Sequence, residues 1–354
     1  MKKELLVASA LVSTLGLAGI AEAASSSMSG HQRVGVTGSD KDSTTNDTMG
    51  ASRQSTFSVS ISETTDSGIK ISTGFDLAEE ASTLDPQGLT LTFTDGSKLD
   101  LVEAGTAAGS HVASVPGASG EQGISATTTN AAPTSLTMGH SADAVGFEYH
   151  TAADAFGIDG FKASVSASFN GDTSAVSSTT ATLEGSYSAG VTYVTDAGDS
   201  TVTIAGGFQN ASFNNTSATK ETEVVHGGVS AVTGDLTVGV GFATGDCLRA
   251  GDTTAARDAT QVNGDFTKAG VKYVSGDITF SVGMSSGEGK DEALGTAATS
   301  SADTRDSQGA SIDYAVASGV TATLGYTNNE DQDEGKASTN TSGASWYVGA
   351  TVSF

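Results

Sequence analysis

Two kinds of pattern in the sequence carry residue types that could do chemistry. GMSSG at residues 283–287 matches the G-x-S-x-G pattern, in which a nucleophilic serine lies on a sharp turn between a strand and a helix. Here the residues around the serine alternate like a strand and no helical pattern follows them. A chance match is common in a chain so rich in Gly and Ser. We therefore predict that the protein is not an enzyme.

The second pattern is a run of acids that could offer oxygen ligands to Ca²⁺: Glu330, Asp331, Asp333 and Glu334. These acids lack the fixed spacing of a Ca²⁺ loop, so a solvated run of charges is the favoured interpretation. The five histidines lack the H-E-x-x-H spacing of a zinc site, and the single Cys247 has no partner for an intrachain disulfide. We therefore expect no cofactor, with Ca²⁺ at these acids as the weaker alternative.

The first 23 residues predict export from the cytoplasm. MKKELLVASALVSTLGLAGIAEA has two lysines, an apolar run and small residues at its end, the pattern of a cleaved secretory signal. We place this signal peptide at residues 1–23 and the mature domain at 24–354. The net charge of −25 argues against nucleic acid as a partner, because binding to phosphates needs clustered Lys and Arg.

The C-terminal residues GASWYVGATVSF alternate between apolar and polar over ten positions. The apolar positions share one side: Trp346, Val348, Ala350, Val352 and Phe354. A two-residue period is typical of a strand with one apolar and one polar face. We predict that the apolar side faces lipid and that Trp346, Val348, Val352 and Phe354 form a signal for assembly in the membrane.

The same alternation recurs about sixteen times along the mature chain. Six connections are tight turns, such as TTDSG at 64–68 and DGS at 95–97, and these alternate with longer polar connections. An up-and-down meander gives this order, whereas a Greek-key sandwich places its long crossovers irregularly. The sequence therefore predicts an all-β fold: a closed antiparallel transmembrane barrel of about 16 strands, with short turns at one end.

The width of such a barrel decides which face of each strand meets lipid. Side chains cannot fill a barrel of sixteen strands, so the interior is aqueous and the apolar side chains must point outward. Extending the alternation of the last strand places charged residues on the inner wall, together with Asp76, His31, His150 and His226. The pore-lining candidates on this wall are Arg33, Lys70, Lys98, Asp100, Glu148, Lys162, Glu184, Lys268, Lys272 and Asp313.

Several segments resemble the trimeric general porins of Gram-negative bacteria, particularly the alphaproteobacterial type: HQRVGVTG, FSVSISETTDSGIKISTGF, ASIDYAVASGVTATLGYTNN and the terminal Phe354. The resemblance implies a homotrimer in the outer membrane, in contact with lipid and lipopolysaccharide, that passes small hydrophilic solutes. It also implies that the connection after the fifth strand folds inward and constricts the pore. Here that connection spans about residues 104–143, and Glu103 and Glu121 join the pore-lining candidates.

The sequence departs from that family at the predicted constriction. Gln54 and Thr56 stand on the inner side of the second strand, where such porins often carry basic residues. The predicted inward connection also carries few acids. Both departures leave open which residues form the sieve.

We expect a general diffusion porin with a weak preference for cations, because acidic loops at the outer mouth gather cations. Two alternatives stay open at this point. A substrate-selective channel of the same barrel type would differ in only a handful of lumen side chains. A secreted β-rich adhesin would share the acidic, Gly-rich composition, but it predicts a fixed repeat period that this sequence lacks.

Overall fold

The computed structural model describes residues 24–41, 48–78, 85–102, 106–118, 146–169, 182–215, 218–246, 262–291, 302–333 and 341–354. Sixteen strands run through these segments. In chain order they are β1 (Ser25–Lys41), β2 (Thr48–Thr64), β3 (Lys70–Ala78), β4 (Asp85–Thr92), β5 (Lys98–Leu101), β6 (Gly146–His150), β7 (Phe161–Phe169), β8 (Thr182–Ala197), β9 (Ser200–Asn215), β10 (Ala218–Thr233), β11 (Leu236–Asp246), β12 (Val262–Ser275), β13 (Ile278–Asp291), β14 (Ala302–Ala317), β15 (Val320–Asp333) and β16 (Thr341–Ser353).

The strands form one closed antiparallel barrel. Each strand pairs with its neighbours in sequence, and β1 pairs with β16 from His31 opposite Ser353 to Lys41 opposite Gly343. This closure removes the unpaired edges that a flat sheet would leave. The predicted all-β barrel of about 16 strands is therefore confirmed. Among the described residues, no helix has the length and apolar content needed to cross a membrane.

Several strands are longer than the alternation predicts. The sequence predicts a connection over residues 210–221, but β9 continues to Asn215 and β10 begins at Ala218. The alternation of apolar and polar side chains weakens where both faces of a strand meet water. The backbone ladder needs no such alternation, so it continues beyond the apolar band.

Tight turns join the strands at one end of the barrel. Between β4 and β5, Gly96 has a φ of 88°, a left-handed conformation that glycine adopts without strain. The Asp95 carboxylate accepts hydrogen bonds from the backbone N–H and the hydroxyl of Ser97, at 2.9 and 2.7 Å. This is the local side-chain bonding that a short hairpin turn requires.

The register gives each strand an apolar and a polar face. On β11, Val240 is 55% exposed and Phe242 is 53% exposed on the outer face, while the intervening Gly241 and the next residue Ala243 are buried on the inner face. Directly paired residues share a face, so the outer face continues through Val348 of β16. The apolar side chains therefore surround the barrel as a band, as predicted for lipid contact.

Candidate functional site on the inner wall

Residues 106–118, here called the inner segment, lie against the polar side of the wall. One turn of 3₁₀ helix, Gly109–His111, interrupts the otherwise extended segment. Its first part reaches Glu148 on β6, and its last residue, Ala118, lies against Gly309 on β14. The inner segment thus crosses nine neighbouring strands. It lies on the inner face of the wall, whereas the apolar band lies on the outer face.

Glycines on the inner wall make room for this segment. At Gly239 an added Cβ would lie 2.6 Å from the Ser114 carbonyl oxygen and 3.0 Å from the Cα of Val115; at Gly283 it would lie 2.8 Å from the Cα of Gly117. Any side chain at these positions would push the segment off the wall. We call the series of glycines beneath the segment the glycine path: Gly190, Gly207, Gly228, Gly239, Gly270, Gly283 and Gly309, one on each strand from β8 to β14.

Side chains of the wall pair with the backbone of the inner segment. The hydroxyl oxygen of Ser166 accepts from the N–H of Ala107 at 3.0 Å, and that of Ser188 accepts from the N–H of Ala108 at 3.2 Å. The imidazole of His226 lies 2.9 Å from the carbonyl oxygen of Ala108 through Nε2. Buried backbone groups need such partners, so these contacts hold the segment in one register.

His111 anchors the inner segment by both ring nitrogens. It is 5% exposed, with Nδ1 2.7 Å from the hydroxyl of Thr192 and Nε2 2.7 Å from the hydroxyl of Ser164. Burial, together with the positive charges that His150, His226 and Lys162 can carry, lowers the pKa of His111 to about 4. His111 is therefore neutral at pH 7, and one of its nitrogens donates while the other accepts.

A carboxylate–imidazole cluster (Asp100, Glu148 and His150) lies beside this anchor. Nε2 of His150 lies 2.9 Å from Oδ2 of Asp100 and 3.6 Å from Oε1 of Glu148. The hydroxyl of Ser110 donates to Oε1 of Glu148 at 2.6 Å, which ties the cluster to the inner segment. One imidazole and two carboxylates are donors that could hold a metal ion.

The register places nine of the pore-lining candidates on the polar face of the wall: Arg33, Lys70, Lys98, Asp100, Glu148, Lys162, Lys268, Lys272 and Asp313. It brings Lys98, Asp100 and Glu148 together on β5 and β6. Arg33 stands apart on β1 and donates to Oε1 of Gln54 at 3.2 Å. Glu103 and Glu121 lie outside the described residues, as does the side chain of Glu184 on β8.

The sequence interpretation did not identify the glycine path or the anchoring role of His111. The available signal was a glycine at an inward position on each of seven successive strands. That signal becomes visible only when the register of every strand is known. His111 was part of the predicted inward connection, but nothing in its neighbours along the chain indicates burial.

The predicted assembly residues Trp346, Val348, Val352 and Phe354 all lie on the outer face. Phe354 and Gly30 exchange two backbone hydrogen bonds of 3.0 Å, which extends the pairing of β16 with β1 to the last residue. The Phe354 side chain is 64% exposed, with its ring centroid 6.5 Å from that of Phe57. An exposed aromatic side chain where β16 pairs with β1 suits contact with lipid. The role of these residues in assembly stays a prediction.

The other chemical patterns lie in strands. GMSSG belongs to the middle of β13, where Ser285 pairs with Lys268 and Ser307, so the sharp turn of a serine nucleophile is absent at this position. Of the predicted Ca²⁺ acids, Glu330 is exposed on β15 and accepts from Gln332 at 2.7 Å. Glu334 and the side chains of Asp331 and Asp333 lie outside the described residues.

A family model for Gram-negative porins matches residues 7–335. No curated protein sequence matches the chain.

Solved structures share the fold at low sequence identity. An anion-selective porin from Comamonas acidovorans is 13% identical, with a TM-score of 0.62, and the match covers 94% of this chain and 100% of that one. In-vitro folded OmpT of Vibrio cholerae in its trimer form is 13% identical, with a TM-score of 0.57 and the same coverage. A triple mutant of the Rh. blastica porin is 15% identical, with a TM-score of 0.57, covering 93% and 100%.

Proposed function

The chain belongs to the Gram-negative porin family, and from this premise we propose that it passes small hydrophilic solutes and ions by passive diffusion, with a weak preference for cations. It is a non-enzymatic channel of the Gram-negative outer membrane. The observation that carries the proposal is the two-faced wall of the closed barrel, apolar outside and polar inside. A wall of this kind encloses water.

We propose that the inner segment, as part of the connection at about 104–143, narrows the lumen. Its described contacts lie on β6 to β14, which leaves the wall from β15 through β1 to β5 to border the open passage. The exposed residues of the segment are Gly109, Ser110, Ser114 and Gly117, and the opposite wall offers Arg33 and Lys70. Solutes would pass between small polar groups on one side and fixed positive charges on the other.

We also propose that the nine placed candidates line the pore. Six of them are basic and three are acidic, so their sum does not favour cations. Acids at the ends of the strands opposite the tight turns act against that balance: Asp40, Asp265, Glu288, Asp306 and Glu330, all exposed. Together with the net charge of −25, they give the mouth a negative potential that reaches about 8–10 Å at physiological salt. The expected cation preference is modest for this reason and fades as salt is added.

Reversal potentials in a KCl gradient across a planar bilayer test this proposal. The purified protein should favour K⁺ weakly in dilute KCl and lose that preference in molar KCl. Lys272→Gln removes one inward positive charge and should raise the preference for K⁺. A clear preference for Cl⁻ that persists in molar KCl would show that the lumen cations, and not the acidic mouth, control selectivity.

We further propose a homotrimer surrounded by outer-membrane lipid and lipopolysaccharide, with residues 1–23 cleaved during export through the periplasm. The apolar band on the outer face supports contact with lipid. The V. cholerae protein of the same fold has been solved in a trimer form, which supports the assembly. The signal-like composition of the N-terminus supports the cleavage.

A further inference from the structure

The carboxylate–imidazole cluster places two like charges side by side on the inner wall. Asp100 of β5 and Glu148 of β6 are direct cross-strand neighbours, and Glu148 is 2% exposed. Like charges directly opposite on a sheet repel each other, and a buried carboxylate needs a compensating positive charge. His150, two residues along β6, reaches toward both carboxylates with the same nitrogen, Nε2.

We propose that Asp100, Glu148 and His150 form a binding site for a divalent transition-metal ion such as Zn²⁺. Their three ligand atoms lie within 4.8 Å of one another. Tetrahedral zinc with ordinary Zn–N and Zn–O bonds holds its ligand atoms about 3.3 Å apart, and Nε2 lies 2.9 and 3.6 Å from the two oxygens. The imidazole selects zinc-like ions over Ca²⁺ and Mg²⁺, which prefer sites made only of oxygens.

Neighbouring hydroxyls already orient the three ligands. Nε2 of His150 donates to Oδ2 of Asp100, because a carboxylate only accepts, and metal binding at Nε2 releases that proton. The hydroxyl of Ser164 lies 2.8 Å from Nδ1 and can accept a hydrogen bond from the Nδ1–H of the metal-binding tautomer. Thr90 donates to Oδ1 of Asp100, so that Oδ2 faces the cluster. Ser110 holds Glu148 from the inner segment. These second partners limit how far the ligands must move on binding.

Lys98 is the neighbouring group that opposes binding. It lies directly across from His150 on β5, and its positive charge repels a divalent ion. The proposal therefore predicts opposite effects for two classes of substitution. Removing a ligand should weaken the binding of Zn²⁺, and removing the charge of Lys98 should strengthen it.

Calorimetric titration of the folded protein in detergent with ZnCl₂ tests the site. The wild-type protein should bind about one Zn²⁺ per chain at this site, and CaCl₂ should bind at least about tenfold more weakly because of the imidazole ligand. His150→Gln and Asp100→Asn should each weaken Zn²⁺ binding by about tenfold or more. The matched control is His31→Gln, which changes an inward histidine on β1 and should leave the affinity unchanged.

Three results would overturn the proposal. The first is equal Zn²⁺ affinity in the wild type, His150→Gln and Asp100→Asn. The second is a loss of Zn²⁺ affinity in His31→Gln as large as that in the ligand variants. The third is an affinity for Ca²⁺ that matches the affinity for Zn²⁺. If the ligand variants fail to form barrels, as judged by circular dichroism, the test passes to Lys98→Gln. Tighter Zn²⁺ binding in that variant supports the site, and unchanged or weaker binding contradicts it.

Discussion

At the scale of single residues, the His111 side chain anchors the inner segment to the wall. Both of its ring nitrogens contact hydroxyls of the wall, and one of these, Ser164, also contacts His150. His111 is neutral when docked and has its ordinary pKa of 6.5 when released. Docking of the inner segment is therefore coupled to protonation of this residue.

We predict that acid loosens the inner segment. The docked pKa of about 4 lies below 6.5, so docking is strongest above pH 6.5 and weakens as the pH falls toward 4. Each pKa unit is worth about 1.4 kcal/mol, and the whole span about 3 kcal/mol. Fluctuations of single-channel conductance should increase across this range.

The variant His111→Gln should remove most of this pH dependence, because glutamine does not titrate. His31→Gln, which changes a histidine remote from the segment, should keep the wild-type response. An identical response to acid in the wild type and in His111→Gln would contradict the coupling.

At the scale of elements, the inner segment and the glycine path fit together backbone to backbone. Its described part, residues 106–118, has no charged Lys, Arg, Asp or Glu. Hydroxyls, imidazoles and close packing against glycine therefore hold it in place. Such packing tolerates little added volume, since protein interiors are close-packed.

We predict that Gly239→Leu displaces the inner segment. The leucine side chain would overlap Ser114 and Val115, and overpacking of this kind costs about 1–3 kcal/mol. Single-channel conductance should change, because the segment must move toward the open lumen. Gly50→Leu is the matched control, since Gly50 is on β2 and its added Cβ meets nothing within 4 Å. Equal conductance in both variants would show that the segment does not depend on the glycine path.

The last strand leads to a second prediction at this scale. Phe354→Ser, or deletion of Phe354, should lower the fraction of folded protein in outer membranes, because β16 closes the barrel and its last residue pairs with Gly30. Ser353→Ala, a change on the inner face of the same strand, should have little effect. Heat-modified mobility of membrane extracts measures the folded fraction. A normal yield from Phe354→Ser would contradict the role of this residue in assembly.

At the scale of the whole molecule, the proposed homotrimer is directly testable. Extracts kept cold in detergent should run as a trimer and shift to the monomer position on heating. Circular dichroism of the unheated protein in lipid should show mainly β-structure, as the sixteen strands require. A monomer band that heating does not move would argue against the trimer, whereas mostly helical or unordered dichroism would argue against the barrel itself.

The sequence by itself determined the number of strands, their order and the face that each presents to lipid. These properties follow from local alternation, because successive side chains of a strand point in turn to the lipid and to the lumen. Val240 and Phe242 show this: their positions in a two-residue pattern were enough to predict that they point outward. No knowledge of distant residues was needed.

Only the tertiary structure decided which residues meet on the inner wall. Asp100, Glu148 and His150 meet because β5 pairs with β6 in one register. A shift of either strand by one residue would turn its side chains in this cluster to the outer face. The path of the inner segment depends on the six registers that join β8 to β14, since each of these seven strands contributes one glycine. The pairing registers, and the contacts of the inner segment with strands distant in sequence, set these positions, and local alternation carries no information about either.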